Sequence, residues 1–366
     1  MKKMKFKKLI YSSLLSNKKI LLVSSILLIL LVLGCSNSTK ITDNTLNKQF
    51  KNVILVGWDG VQRDHLNELL EDGQLPSFSK YFLDQGSCVD TMITTGANET
   101  KPGWSEILTG YSPLQTGVFS NEDYKPIPKG YTIFERLEEK FSSESIVTMF
   151  IAGKVNNVAA RGPHKICVNC LHRDPTKGGY KLKYWDENSN ELFPRFGKEP
   201  ILEQREGEPY FITKDNIDVY VHALRKSLNV KTKVFSYLDE HYNKRFFIFL
   251  HYEEPDEQGH LYGENSEEYS NAIIQNDKLL EDLVLKLKQL GISDKTILYL
   301  VTDHGMDEAE RGHRMAAETF FCSTEKNLNE KIIGDRKDVT PTILERYGFD
   351  LETIKPILDG KSLLTK

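Results

Sequence analysis

Excess positive charge is what this chain has least of once its first residues are set aside. Its 366 residues carry 48 Lys+Arg against 52 Asp+Glu. Seven of those lysines and no acid lie in residues 1–34, so the remainder has 41 basic against 52 acidic side chains, a formal charge of about −11. An acidic body argues against a nucleic-acid polymer or an anionic membrane surface as the main partner. Local positive charge at a site would have to come from bound metal. Cysteine is sparse, five in all, with a single Cys-x-x-Cys at Cys167 and Cys170, and no histidine follows His313. Nothing marks a long disordered segment, and at 39% hydrophobic the chain can bury a full core, as one large α/β domain or as a domain with a substantial insertion.

The N-terminus reads Met-Lys-Lys-Met-Lys-Phe-Lys-Lys, and after Lys18-Lys19 an apolar run over 20–33 closes at Gly34-Cys35. A basic region, an apolar core and a small residue before the cut make an export signal over 1–34 rather than a spanning helix. Leu31-Val32-Leu33-Gly34-Cys35 resembles a bacterial lipobox, with Cys35 lipidated. Residues 35–51 then form the lipidated N-terminus and a polar linker, and 52–366 the catalytic domain. This predicts an exported, membrane-tethered protein of the bacterial cell envelope. The competing reading is an uncleaved anchor helix.

Three apolar β-type runs stand out: Val53-Ile54-Leu55-Val56-Gly57, Phe246-Phe247-Ile248-Phe249-Leu250, and residues 296–302. Such runs suit a sheet covered on both faces. Each leads to an aspartate: Asp59, Asp256 and Asp303. Open α/β sheets bind ligands at the carboxyl ends of their strands. Asp256 and His260 are four apart and reach one metal if that segment is helical; His304 adjoins Asp303, and His313 follows in a polar loop. A single such Asp is readily a helix cap or part of a solvated acidic loop, but three are hard to explain that way. Helices are expected over 63–85 (interrupted near Gly73 and Pro76), 131–141, 216–243 and 267–290, and a further strand over 145–151.

Residues 153–215 break the alternation and read as an insertion, a cap over the site that recognises substrate. Tyr180, Tyr184, Trp185, Phe193 and Phe196 suit either stacking on a flat group or a small satellite core. His164, Cys167, Cys170 and His172 suit a structural zinc, or a disulfide within the Cys pair or with Cys88 or Cys322.

In Asn98-Glu99-Thr100-Lys101-Pro102-Gly103-Trp104, Pro102 suits the first turn of a helix that Gly110 ends. Thr100 would sit just before it, where free N–H groups and the helix dipole favour a phosphate or sulfate oxygen. Alone, it would be read as an N-cap. With Asp and His groups nearby it becomes a nucleophile. Asp and neutral His suit zinc, and two divalent ions sharing a substrate oxygen would activate the hydroxyl and draw charge from the phosphoryl group. A covalent phospho-threonine would form, for water to release.

Asp59-Gly60, Thr100 with Pro102 and Leu108-Thr109-Gly110, Glu254-Pro255-Asp256 with Gly259-His260, and Asp303-His304-Gly305-Met306 resemble type I phosphodiesterases and nucleotide pyrophosphatases of the alkaline phosphatase superfamily. Asp338-Val339-Thr340-Pro341 and Asp359-Gly360-Lys361-Ser362 look like the closing helix and tail of the sulfatase branch. The resemblance implies an alkaline-phosphatase-like α/β fold, a mostly parallel central sheet flanked by helices. It also implies Asp59, Thr100, Asp303 and His304 on one zinc and Asp256, His260 and His313 on another. Gly103-Trp104 departs from the family's usual Asn-His; Asn98 is the stand-in for the lost oxyanion donor. The implied activity is metal-dependent hydrolysis of a small-molecule or head-group phosphodiester. Alternatives are a phosphoethanolamine-type head-group transferase, a sulfatase-like hydrolase, although Thr100 cannot become formylglycine, and a surface lipoprotein that binds without catalysis.

Overall fold

Alternate residues of the first apolar run face opposite ways, and a separate hydrophobic layer covers each face. The computed structural model describes residues 52–168, 170–173, 180–181, 193–194 and 201–365. Strands β1 (Asn52–Trp58), β2 (Ser87–Ile93), β3 (Ile146–Ala152), β4 (Val219–Val221), β5 (Arg245–Tyr252), β6 (Thr296–Val301), β7 (Glu318–Ser323) and β8 (Gly334–Asp335) form one sheet. Its order is β8-β2-β7-β6-β1-β5-β3-β4. From β6 to β4 every pairing is parallel, with Val53 opposite Phe247 and Ile297; β7 runs antiparallel to both β6 and β2. This is the mostly parallel α/β sheet expected.

Ile54, Val56, Ile248, Leu250 and Leu298 face one layer with α4 (Ser227–His241) and α6 (Glu267–Gln289), where Val230, Val234, Leu280 and Leu283 complete the core. Val53, Leu55, Phe247 and Phe249 face the other, against α2 (Thr100–Thr109), α3 (Ile133–Phe141) and α7 (Val339–Arg346). A Thr132–Glu135 capping box starts α3. The remaining helices of use here are α1 (Arg63–Glu71) and α5 (Glu254–Tyr262). Among the described residues no helix is long and apolar enough to cross a membrane.

One expectation fails outright. Residues 216–243 are not one helix: Val219-Tyr220-Val221 adds a parallel edge strand to β3, and the helix starts only at Ser227. β-branched and aromatic residues beside an open strand edge prefer the pleated surface. The cysteine alternatives also change, because Cys88 and Cys322 face each other across β2 and β7 and are disulfide-bonded together. Neither is therefore left for Cys167 or Cys170, whose side chains, with that of His172, lie outside the described residues. So do residues 1–51, including Cys35, and within the expected insertion Tyr184, Trp185, Phe196 and the side chains of Tyr180 and Phe193. Of that insertion, His164–Val168 pairs antiparallel with Ile201–Arg205.

Candidate functional site

Three neighbouring parallel strands, β6, β1 and β5, end side by side and deliver Asp303, Asp59 and, through the helix that follows β5, Asp256. All three are buried. The segment after β5 is helical, so Asp256 and His260 share a face, with His260 Nε2 3.3 Å from Asp256 Oδ1. The backbone ties these ends together: Asp256 N–H donates to the Asp59 carbonyl at 3.0 Å, and Gly60 N–H to Asp303 Oδ1 at 3.2 Å.

Helix α2 brings the hydroxyl. It begins at Thr100, one residue earlier than expected, with Glu99 as N-cap and no side-chain capping bond. Thr100 is thus not an N-cap. Its Oγ1 lies 3.3 Å from His304 Nε2, and that nitrogen lies 3.5 Å from Asp303 Oδ2 and 3.8 Å from Asp59 Oδ1. Around a metal with ligands at about 2.0–2.1 Å, tetrahedral ligand atoms are separated by roughly 3.3 Å. Thr100, Asp303 and Asp59 thus each approach His304 Nε2 at 3.3–3.8 Å, but Asp303 does not join Asp59 and His304 in a group of ligand atoms mutually within 4.8 Å. Ligand atoms of Asp256, His260 and His313 lie within 4.8 Å of one another, as do those of Asp59, Asp256 and His304. Asp256 belongs to both groups.

Two further observations fit a metal. Asp256 Oδ1 and Asp303 Oδ2 are buried and accept no well-aligned hydrogen bond among the described residues, their nearest polar neighbours being His260 Nε2 at 3.3 Å and His304 Nε2 at 3.5 Å, an arrangement that a cation would relieve. The three histidines turn Nδ1 to a backbone carbonyl: His304 to Gly305 at 2.9 Å, His260 to Arg311 at 2.7 Å and His313 to Asn98. A carbonyl only accepts, so Nδ1 carries the hydrogen and Nε2 keeps a lone pair.

Two residues that sequence reasoning passed over complete the centre. Lys154, two residues beyond β3, places its ammonium 2.7 Å from Asp59 Oδ1 and 2.5 Å from Asp256 Oδ2. It had been counted into the insertion, yet its position beyond the carboxyl end of a buried parallel strand matches that of the aspartates. His251, at the buried end of β5, donates from Nε2 to Asp59 Oδ2 at 2.7 Å. Trp104 Nε1 donates to the same oxygen at 3.1 Å.

Burial and charge pull in opposite directions here. Burial, the largest single influence, works to raise the Asp59 carboxyl, but Lys154 and His251 together overcome it and hold the pKa at about 2. Asp256 is likewise held well below the ordinary range against burial, chiefly by Lys154 and then His260. Asp303 rises well above it, through burial first and the Asp59 charge second. Burial, reinforced by His313, lowers His304 to about 3, so it is neutral. The Asp256 carboxylate raises His260. Burial opposes the charge on Lys154, but Asp256 and Asp59 overcome it and its pKa rises.

The Gly103-Trp104 pair, where the family has Asn-His, is explained by packing. A Cβ on Gly103 would fall 2.8 Å from the Asp303 Cβ, so only glycine lets α2 approach this closely. The Trp104 ring sits where a Cβ on Gly57 would be, 2.5 Å from its edge. Asn98 is not free to replace the lost donor: its Nδ2 donates to the Arg314 carbonyl at 3.0 Å and its Oδ1 accepts from Thr94, which fastens the His313 loop. Behind the site, buried Arg336 pairs with Glu106 at 3.0 Å and donates to the Asp303 carbonyl at 2.8 Å. Next to Thr100, Lys101 is buried, 3.0 Å from Glu208 and over the Tyr124 ring.

A family model for type I phosphodiesterase / nucleotide pyrophosphatase matches residues 53–334. Human bis(5'-adenosyl)-triphosphatase ENPP4 is 22% identical over 264 residues, 71% of this chain and 48% of that protein. Rat ectonucleotide pyrophosphatase/phosphodiesterase family member 1 is 26% identical over 259 residues, 70% of this chain and 24% of that protein. The chain thus spans about half or less of the curated relatives it matches. Among solved structures, murine ENPP5 aligns with a TM-score of 0.52 at 12% identity, over 86% of this chain and all of that one. The lipoteichoic acid synthase LtaP from Listeria monocytogenes aligns at 0.54 and 15%, over 87% and 76%.

Proposed function

We propose that this chain, which belongs to the type I phosphodiesterase / nucleotide pyrophosphatase family, hydrolyses small-molecule or head-group phosphodiesters with Thr100 as nucleophile and two zinc ions. The observation that carries this reading is the Thr100 hydroxyl at the start of a buried helix, 3.3 Å from His304 Nε2, which itself lies 3.5 Å from Asp303 Oδ2 and 3.8 Å from Asp59 Oδ1. Asp59, Thr100, Asp303 and His304 would hold one ion and Asp256, His260 and His313 the other. Bound there, the ions lower the pKa of the hydroxyl and offset charge on the phosphoryl group.

The chain's own residues fix the rest. Arg336 and Gly103 hold α2 against Asp303, so Thr100 Oγ1 stays in place for in-line attack. The Thr100 hydroxyl gives its proton to solvent, the Oγ1–P bond forms as the bond from phosphorus to the leaving oxygen breaks, and the leaving oxygen takes a proton from solvent. Water then attacks the phospho-threonine, and Thr100 Oγ1 departs and is reprotonated. Lys154 keeps Asp59 and Asp256 ionised and oriented throughout.

The N-terminal signal, lipidation at Cys35 and tethering to the bacterial envelope belong to the same proposal. The basic and apolar patterning of residues 1–34 supports them, and a Cys88–Cys322 disulfide suits an oxidising compartment. No nucleic-acid polymer is expected as substrate.

The test is metal analysis of the detergent-solubilised protein, with rates on bis(4-nitrophenyl) phosphate, 4-nitrophenyl phosphate and 4-nitrophenyl sulfate. Bound zinc and fastest cleavage of the diester, lost in Thr100→Ala, are expected. Metal binding with no ester turned over would favour the head-group transferase.

A further inference from the structure

His313 reaches the proposed centre on a loop that has no core of its own. From 307 to 317 no residue is buried, so apolar packing does not place this ligand and hydrogen bonds must. Some lie inside the loop: Asp307 N–H donates to the Gly312 carbonyl at 2.7 Å, and the Asp307 carboxylate accepts from Arg314 N–H at 2.9 Å and Met315 N–H at 2.7 Å. These fix its shape. Where it stands relative to Asp256 and His260 depends on what ties it to α5.

That tie is Glu264, two residues beyond the helix that carries Asp256 and His260, and only 1% exposed. Its N–H donates to the Glu310 carbonyl at 2.9 Å, and its Oε2 accepts from Ala309 N–H at 3.1 Å. Next in sequence, the Arg311 carbonyl accepts from His260 Nδ1 at 2.7 Å. Three successive loop residues are thus gripped from α5 and its end. Ala309 lies in the left-handed region at φ 56°, which a residue with a Cβ keeps only where its surroundings hold it. The other Glu264 oxygen, Oε1, is 2.7 Å from His65 Nδ1, and His65 Nε2 is 3.0 Å from Ser270 Oγ, so the carboxylate is itself fixed from α1 and α6. Asn98 meets the loop further along, at His313 and Arg314.

We infer that Glu264 is a positioning residue for the ion of Asp256, His260 and His313: it pins 309–310 to the end of α5, so that His313, and the Arg311 carbonyl that orients His260, stand in place before metal arrives. This rests on the two-ion reading above. Groups that orient metal ligands without touching the ion typically contribute about 10–100-fold to its affinity.

The test is calorimetric titration of zinc into the full-length apo-protein in detergent, for wild type, His313→Ala, Glu264→Ala and Glu264→Gln. The equivalent weakened in His313→Ala identifies the position. Glu264→Ala should weaken that equivalent about 10–100-fold and leave the other unchanged. Glu264→Gln keeps an oxygen for Ala309 N–H and should stay within about threefold of wild type. An unchanged titration in Glu264→Ala, equal weakening of both equivalents, or a glutamine variant as weak as the alanine one would overturn the inference and leave the two-ion reading standing. No zinc bound by wild type would overturn both. Hydrogen exchange in the metal-free wild type decides even if Glu264→Ala fails to fold: the Ala309 amide should be protected before zinc is added, and protection that appears only with zinc would show that metal, not Glu264, sets the loop.

Discussion

Replacing Gly103 by alanine adds one methyl where the structure has no room for it. The new Cβ would lie 2.8 Å from the Asp303 Cβ, 3.0 Å from the Asp303 carbonyl oxygen and 3.1 Å from Arg336 Nη1. Ordinary contact begins near 3.4 Å, so the start of α2 must retreat from β6 by about half an ångström or more. The backbone is helical at this position, and there alanine gains about 0.5–1 kcal/mol over glycine. Overpacking of a tight core costs typically 1–3 kcal/mol. The net loss of stability is therefore about 0–2.5 kcal/mol, and the protein folds. Catalysis should suffer far more, because the retreat carries Thr100 Oγ1 away from His304 and Asp303, and a misplacement of about 1 Å costs roughly 100-fold. The assay is kcat/KM on bis(4-nitrophenyl) phosphate beside a thermal unfolding curve. An alanine variant within threefold of wild-type activity (threefold is about 0.65 kcal/mol) would show that the approach of α2 to Asp303 does not set the nucleophile, and the reasoning would fail.

Two other predictions follow from charge and covalent structure. Burial lowers His304 from 6.5 to about 3. Between those values the unfolded chain binds a proton that the folded one does not, so this group's stabilisation is present above pH 6.5 and lost as pH falls toward 3. The full window is worth about 5 kcal/mol in the metal-free protein. Asp303, whose pKa burial raises, works in the opposite sense, so the readout is a difference: apo His304→Gln should lose less stability per pH unit over this range than apo wild type, and equal slopes in urea melts would refute the assignment. The Cys88–Cys322 bond spans 234 residues of sequence, so reducing it, or Cys88→Ser, should cost about 2–5 kcal/mol. The midpoint of urea unfolding with and without a reductant measures this; no shift would mean that the pair is not bonded in solution.

The centre of the fold was legible because its signals are local. A strand buried on both faces must be apolar throughout, and the Asp at its end breaks that run where the chain leaves the sheet; hence β1, β5 and β6 and their aspartates could be read directly. The pairing of Asp256 with His260 is equally local, since a helix puts i and i+4 on one face. Lys154 and His251 could not be read this way. Lys154 meets Asp59 and Asp256 across 95 and 102 residues of sequence, and it follows its strand in a Gly-Lys pair that carries no signal of its own. His251 reads as one more residue of an apolar strand, and only the β1–β5 register, with Gly57 opposite His251, brings it to Asp59. Val219-Tyr220-Val221 was missed for a related reason: three residues carry no period, and what makes them a strand is the open edge of β3.

The departures from the family pattern share one physical cause. Asp59 receives a hydrogen bond from Trp104 on α2, another from His251 on β5 and an ammonium contact from Lys154 beyond β3. Trp104 fits only because residue 57 is glycine, and α2 reaches Asp303 only because residue 103 is glycine. Where the resemblance implies Asn-His after the proline, this chain uses the same helical turn to grip Asp59 with an indole. Positive charge reaches the same carboxylate from Lys154, beyond β3. Restoring an asparagine at position 103 would not recover the lost donor, since its Cβ would meet the same Asp303 atoms as that of alanine. The substitution should lower activity at least as far as Gly103→Ala does, and an asparagine variant more active than the alanine one would refute this account.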